Sequence, residues 1–389
     1  MQGVRLILFF IISACIGSCK KQNAENTIQN PGDECAEQAS MSNGAIIANQ
    51  YIVTFSTGTN SRTISRFGLD EISKTILQRN FINSAAFQNS FNGEPGGFIA
   101  TLTPTEVRIL QTDENIGEVE RDRIIALDNC FTVVEPRLIT WNINRVGYGN
   151  GTGKTAWIID SGIDFNHPDL TVDQTRSRSF ITGQSSAIDE NGHGTHVGGI
   201  IGAKNNTFGV LGVASGASLV SLRVLDKDGE GSLSYIIQAI AYVNTNGAAG
   251  DVVNLSVGGE SGSNILDQQV RNTAARGIYF AIAAGNEDQL ANLSSPARVN
   301  GENIYTVSAI DSLDNFASFS NYGNDVVDFA APGVRILSTW TNNRYAYASG
   351  TSMAAPHVAG LLLLRGKNIT SSGVAKNDPD GTPDPIAHY

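Results

Sequence analysis

Hydrophobic and polar positions divide the chain into stretches of different period. After Arg5, an apolar run from Leu6 to Ser18 is broken abruptly by Cys19-Lys20-Lys21. The run is shorter than the ~20 residues a spanning helix needs, so residues 1–18 read as an export signal rather than a permanent membrane segment. Residues 19–49 are rich in Asn, Gln, Ser and Gly without apolar periodicity, the pattern of a flexible tether. From Gln50 the periods alternate. A strand is predicted over 51–55, a helix over 71–81, and strands over 85–91 and 97–102. A second helix opens on the capping box Thr103-Pro104-Thr105-Glu106, and a strand follows over 119–127. The order strand, helix, strand, strand, helix, strand is that of a small ferredoxin-like α+β module, over residues 50–130.

Residues 136–389 have a different texture. Near-continuous apolar runs at 155–160, 218–225, 251–257, 278–283 and 304–309 alternate with helical spacing at 233–243 and 264–276. Gly277 stands where a left-handed cap is wanted. Unbroken apolar strands belong to parallel sheets covered on both faces, so this part is predicted to be an α/β domain with helices on both sides of the sheet. The closing Asn377-Asp378-Pro379-Asp380-Gly381 reads as a surface tail.

Composition narrows the function classes. With 389 residues, 41% of them hydrophobic, the chain has ample core for one large and one small domain. It carries 26 Lys+Arg against 37 Asp+Glu, a net charge of −11, and no basic cluster longer than Lys20-Lys21, so nucleic acid is not an expected partner. The acidity is shared: 16 basic and 22 acidic residues lie from Pro136 onward, 10 and 15 before it. Only 16% of residues are charged while glycine reaches 41, which excludes a coiled coil and points to tight turns and close backbone approaches.

Three segments carry candidate chemistry. Trp157-Ile158-Ile159-Asp160-Ser161-Gly162 places an acid at the carboxyl end of a buried strand, where open α/β sheets build their sites. Asn191-Gly192-His193-Gly194-Thr195-His196 holds two histidines three apart, without the Glu of a zinc-peptidase helix. Ser349-Gly350-Thr351-Ser352-Met353-Ala354 puts a serine at the start of a helix, where it can also be a mere cap. A serine hydroxyl becomes a nucleophile only beside a base, and the base needs an acid to hold its tautomer. Gly151-Thr152-Gly153-Lys154-Thr155 looks like a phosphate loop, but Tyr148 stands at the first glycine and a strand follows, so it is a turn.

The chain order Asp160, His193, Ser352, with Ala283-Ala284-Gly285-Asn286 between, resembles the subtilisin-type serine peptidases. The resemblance implies a subtilisin-like parallel sheet and a serine endopeptidase in which Ser352 attacks, His193 is the base, Asp160 orients it, and Asn286 donates to the oxyanion. It implies a cleft in which a protein or peptide substrate adds as a strand between Gly229-Glu230-Gly231 and Ser256-Val257-Gly258. Leu233 and Val257 would line one subsite, and Ala283, Ala284 and Gly285 another. The acidic rim of Asp226, Asp228, Glu230 and Glu287 suggests a preference for basic substrates, unless it is a solvated loop. His196 reads as packed structure. No cofactor is implied for catalysis. A structural Ca²⁺ is expected at Asp169 and Asn206 with the carbonyls of Lys204, Phe208 and Val210, and a second, weaker site at Asp328 with the carbonyls of Glu302 and Ile304. The rival reading is a catalytically silent peptide-binding protein using the same cleft, which the complete set Asp160, His193, Ser352 and Asn286 argues against.

Two further expectations concern the N-terminal half. The module over 50–130 resembles the inhibitory propeptide of the family, whose tail would occupy the cleft until self-cleavage, so a zymogen and a monomer are expected. In a ferredoxin-like sheet the first and last strands are neighbours, and Cys35 precedes one while Cys130 follows the other, which brings a disulfide within reach. Ile16-Gly17-Ser18-Cys19 resembles the bacterial lipobox, with lipidation at Cys19 and a membrane-anchored lipoprotein at the periplasm or cell surface; a plain secretory signal is the alternative. Ile12-Ser13-Ala14-Cys15 fits the same pattern over a shorter apolar run.

Overall fold

Along β1 (Ile46–Phe55), neighbouring side chains enter different cores: Tyr51, Val53 and Phe55 pack among the helices of their own module, while Ile52 joins a cluster shared with the larger domain. The computed structural model describes residues 43–56, 66–126, 131–133, 139–259 and 261–389. The signal, the tether up to residue 42, Cys19, Cys35 and Cys130 lie outside the described residues.

The first module continues with α1 (Arg66–Arg79), β2 (Phe87–Phe91), β3 (Gly97–Thr101), α2 (Pro104–Leu110) and β4 (Ile116–Ala126). The predicted strand and helix order is found, with β1 starting earlier, at Ile46, and the first helix starting and ending earlier than 71–81. The Thr103–Glu106 capping box forms with Pro104 in the first turn. Its antiparallel sheet runs β4-β1-β3-β2. Period-two alternation sends Phe98 and Ala100 of β3 toward the module's helices and Ile99 toward the larger domain. A sheet buried on both faces explains why these strands read as continuous apolar runs.

The larger domain comprises β5 (Phe131–Val133), α3 (Trp141–Val146), β6 (Gly149–Asn150), β7 (Thr155–Asp160), β8 (Arg178–Ser179), α4 (His193–Gly202), β9 (Ala214–Ser215), β10 (Ser218–Arg223), β11 (Glu230–Ser232), α5 (Leu233–Asn246), β12 (Val252–Leu255), α6 (Asn264–Ala274), β13 (Tyr279–Ala283), β14 (Ile304–Ile310), β15 (Val327–Pro332), β16 (Ile336–Trp340), β17 (Arg344–Ala348), α7 (Thr351–Arg365), β18 (Thr370–Val374) and β19 (Pro385–His388). The main sheet runs β18-β19-β15-β14-β13-β12-β7-β10-β8, parallel from β19 to β8. Trp157 and Ile159 of β7 face the core beneath α5 and α6; Ala156 and Ile158 face the core beneath α4 and α7. Gly277 caps α6 with φ +81°. Among the described residues no helix is long and apolar enough to cross a membrane.

The closing segment is a correction to the surface-tail expectation. After the turn through residues 377–383, β19 joins the main sheet at Ala330↔Ile386, and Ile386 and Ala387 are fully buried. Asp384 is buried too and accepts a hydrogen bond from Ser308 Oγ at 2.6 Å. A short strand behind a Pro-, Gly- and Asp-rich turn carries too little apolar period to be read from sequence.

Candidate active site

β7 delivers Asp160 fully buried at its carboxyl end. His193, the first residue of α4, donates its Nδ1 proton to Asp160 Oδ1 at 2.8 Å, with Oδ2 at 3.0 Å. This bond fixes the tautomer and makes Nε2 the basic nitrogen. Small residues permit the approach. A Cβ on Gly194 would lie 2.1 Å from the Gly162 carbonyl and 3.0 Å from Asp160 Cβ. Gly192 has φ +125°, and a Cβ there would enter the Trp340 ring.

Ser352 is the second residue of α7, which packs against α4. Its Oγ donates to the Ser256 carbonyl at 3.1 Å, while Ser256 Oγ donates to the Ser352 carbonyl at 2.8 Å. This reciprocal pair fixes the helix start against the strand that ends at Leu255. Asn286 is anchored through its side-chain oxygen, which accepts from Thr351 N at 2.8 Å and Thr351 Oγ1 at 2.9 Å. That anchoring decides which end of the amide is the acceptor and which the donor. Thr351 was not singled out from sequence; its position beside Ser352 and its β-branched hydroxyl were the available signal.

A pocket of about 60 Å³ joins these groups, lined by Ser256, Ala283, Gly285, Asn286 and Ser352 and closed at one side by Ala126 of the N-terminal module. Val257, Gly258 and Ala284 line it as well. On the opposite rim, β11 pairs antiparallel with β4: Glu230↔Ala126, Gly231↔Ile125 and Ser232↔Ile124. Gly231 has no room for a side chain, since a Cβ would meet the Val224 carbonyl at 2.1 Å, and Gly229 turns with φ +79°. Ile125 is buried in the cluster that also holds Leu233 and Val257. Of the rim acids, Asp226 accepts from the backbone of Asp228 and Glu230, and Glu287 accepts from Asn321 Nδ2.

The module is held by two carboxylates on one face of β4. Asp122 accepts from the backbone N–H of Ser234, in the first turn of α5. Glu120 accepts from Ser263 Oγ at 2.9 Å and the backbone N–H of Ile265, at the start of α6. Burial pushes Asp122 above the usual carboxylate range and Glu120 up to about 7, against the pull of these donors. Neither acid was selected from sequence, although their i, i+2 spacing on a strand was a signal for one shared face. After the segment 127–130, β5 pairs with β17 through Ala346↔Val133 and Ala348↔Phe131.

His196 is fully buried and its Nε2 lies 3.0 and 3.1 Å from the carbonyls of Ile336 and Ala346, while burial drives its pKa down to about 3. It is a neutral packed residue, as its sequence context suggested.

The expected cation loop is brought together around Asp169. Its Oδ1 accepts from Asn206 Nδ2 at 2.7 Å, its Oδ2 from Val210 N at 3.0 Å and Tyr345 OH at 3.2 Å, and its carbonyl from Lys204 N at 2.8 Å. Phe208 N donates to Asn206 Oδ1. Burial raises the Asp169 pKa. Asp328 accepts from Thr306 N at 2.9 Å beside β14, which begins at Ile304 just after Glu302, and burial raises its pKa to about 6. Among the described residues no group of three or more His, Cys, Asp or Glu is arranged to hold a metal ion.

The sequence model of the Subtilase family matches residues 151–371. The chain is 34% identical over 331 residues to "Alkaline serine exoprotease A" of Vibrio alginolyticus, covering 82% of this chain and 60% of that protein's length. It is 40% identical over 281 residues to "M-protease" of Shouchella clausii, 70% of each chain. A crystal structure of a cold adapted subtilisin-like serine proteinase superposes with a TM-score of 0.57 at 33% identity, covering 65% of this chain and 98% of that one. The parallel sheet, the buried Asp160–His193 hydrogen bond, the start of α7 that carries Ser352 and is tied to Asn286 through Thr351, and these relatives lead to one conclusion: the chain belongs to the subtilase family of subtilisin-like serine endopeptidases.

Proposed function

We propose that this chain hydrolyses peptide bonds of proteins through Ser352, His193 and Asp160, with Asn286 and the Ser352 backbone N–H stabilising the tetrahedral oxyanion. The observation that carries the reading is the 2.8 Å bond from His193 Nδ1 to buried Asp160, because it leaves Nε2 as the base. Ser352 Oγ gives its proton to Nε2 as it attacks, the acyl-enzyme forms, and the imidazolium passes the proton to the departing amine. Water then hydrolyses the acyl-enzyme by the same base. A substrate adds as a strand between β11 and residues 256–258, with Ala283, Ala284 and Gly285 walling the pocket for the side chain at the scissile bond. Because Asp226 and Glu287 are occupied in holding their own loops, selection by the acidic rim is weak. Fluorophosphonate labelling of the folded, processed protein, abolished in Ser352→Ala, is the expected result; an unlabelled wild type rejects the enzyme and favours the silent peptide binder.

We further propose that the N-terminal module is an inhibitory propeptide removed by a cut between β4 and β5. The support is that β4 already occupies the edge of β11 where a substrate strand would lie, with Ala126 at the pocket. The match of 331 residues to the Vibrio protein also extends beyond residues 136–389. Export follows from the N-terminal apolar run, and lipidation at Cys19 is tested by radiolabelled palmitate incorporation that Cys19→Ala should abolish. Pairing of Cys35 with Cys130 would keep a cut propeptide attached under non-reducing conditions if the cut falls before Cys130.

We also propose that the Asp169 loop holds a calcium ion. The support is that Asp169 is buried, with its pKa raised by burial, lies in the same turn cluster as Asn206 and Val210, and is in none of the ion pairs found among the described residues. Asp169, Asn206 and the carbonyls of Lys204, Phe208 and Val210 would hold it, in a structural role. Asp328 with the carbonyls of Glu302 and Ile304 is proposed as a weaker second site.

A further inference from the structure

Asp189 is a buried carboxylate that the triad chemistry does not use. It lies between β8 and α4, is 5% exposed, and its oxygens receive five hydrogen bonds. Oδ1 accepts from Ser161 Oγ, Asn191 N and Gly192 N, each at 2.9 Å. Oδ2 accepts from Thr195 N at 2.9 Å and Thr195 Oγ1 at 2.6 Å. The direction of the two hydroxyls is set by what they accept. Ser161 Oγ takes the N–H of Gly194 at 3.0 Å, and Thr195 Oγ1 takes the N–H of Asp164 at 2.9 Å, so both turn their protons to Asp189. A protonated carboxyl would place a sixth proton among five. The group is therefore an anion, held by donors against the burial that pushes its pKa up.

Its partners belong to two different elements. Ser161 follows Asp160 at the end of β7, while Gly192 and Thr195 flank His193 at the start of α4. The Asp189 backbone adds a bond from its N–H to the Ile163 carbonyl at 3.1 Å. We infer that Asp189 is the positioning residue of the Asp160–His193 pair: one buried anion ties the strand end that carries the acid to the helix start that carries the base. It also places a second negative charge on the loop that leads into the helix start carrying His193. The inference rests on His193 being the base. The other titratable groups around that helix start are Asp160 on β7, Asp164 just after it, whose N–H donates to Thr195 Oγ1, His196 on α4, and Arg223 on β10 with its partner Glu190.

The test is made on the full chain after processing, with Asp189→Asn and Ser161→Ala. Turnover of a chromogenic peptide is normalised to the number of serines titrated by fluorophosphonate, and kcat/KM is followed with pH. In Asp189→Asn, kcat is expected to fall on the order of 10²-fold with KM nearly unchanged, and the acid limb of the profile to move to lower pH. Ser161→Ala keeps four of the five donors; it cuts the side-chain tie to β7 and removes the acceptor of the Gly194 N–H. It should lose about 10-fold in kcat at a melting temperature close to wild type. If Asp189→Asn does not fold, Ser161→Ala decides alone. An unchanged kcat per labelled site in Ser161→Ala overturns the inference, as does an Asp189→Asn enzyme altered only in yield and melting temperature. A wild type that takes no label overturns the reading of Ser352 and this inference together, whereas a labelled wild type with an unaffected Ser161→Ala overturns this inference alone.

Discussion

Asp122 of the N-terminal module accepts the backbone N–H of Ser234 at 2.9 Å, in the first turn of α5 in the larger domain. Its second oxygen accepts from Gln50 Nε2 at 2.5 Å, so the carboxylate is satisfied from both sides while fully buried. A helix N-terminus favours an anion through its unpaired N–H groups and its dipole. The module therefore grips the larger domain through a buried carboxyl hydrogen-bonded at a helix start as well as through the apolar contact of Ile52, Ile99 and Ile125.

Replacing Asp122 by Ala removes a buried acceptor and leaves the Ser234 N–H without this partner, a loss of about 1–3 kcal/mol. The module should then be held roughly 10- to 100-fold more weakly. Progress curves of processed enzyme, read as the lag before activity emerges, check this; an unchanged lag rejects it.

Glu120 gives the hold a pH dependence. Its pKa is raised from an ordinary 4.5 to about 7 in the packed state, so the contact it favours is fully present below pH 4.5. That contribution declines as the pH rises toward about 7 and is flat above, because ionisation then leaves a charge buried at the contact. Asp122 is displaced in the same direction. Size-exclusion chromatography of cut protein at pH 5 and pH 8 should retain the module at pH 5 and release more of it at pH 8. Glu120→Gln should flatten the difference.

Gly192→Ala meets both a left-handed backbone and the Trp340 ring, which lies within 2.2 Å of the added carbon at two atoms. The conformation alone costs about 1–3 kcal/mol for a non-glycine residue. A lowered melting temperature and a loss of kcat are expected together, since His193 is the next residue. Wild-type values for both would contradict the packing.

Chelation tests the cation loop. EDTA should lower the melting temperature of the wild type, and Asp169→Ala should lower it without chelator and shrink the further effect of EDTA to that of the weaker Asp328 site. A wild-type melting temperature indifferent to EDTA rejects calcium at both proposed places.

The pairing of Asp160 with His193 was legible in the sequence because a base held by an acid demands those residue types within short, glycine-bearing motifs. The long apolar strands such as β7 and β14 were legible because burial on both faces leaves little choice of residue. What escaped was set by partners distant in the chain. Asp189 looks like an ordinary loop acid until five donors converge on it, and Thr351 like a cap until Asn286 leans on it. Glu120 and Asp122 sit in the charged stretch Val119-Glu120-Arg121-Asp122-Arg123, which reads as solvated without α5 and α6 beside it. β15 to β19 are short strands separated by Gly, Asn and Asp turns except where α7 lies between β17 and β18, and their sheet membership depends on neighbours the local pattern does not announce.

The way β18 and β8 finish the main sheet bears on how the protein behaves at high concentration. Every residue of β18 is exposed, and its sequence Thr-Ser-Ser-Gly-Val is polar and glycine-interrupted. At the other border β8 is two residues long, and Arg178 lays its guanidinium over Tyr242. A row of unpaired backbone groups invites a second molecule to extend the ladder, and short, polar or charged borders deny it a template. Among the described residues, the nine strands of the main sheet are thus stacked side by side without offering either flank as a seed for fibrils.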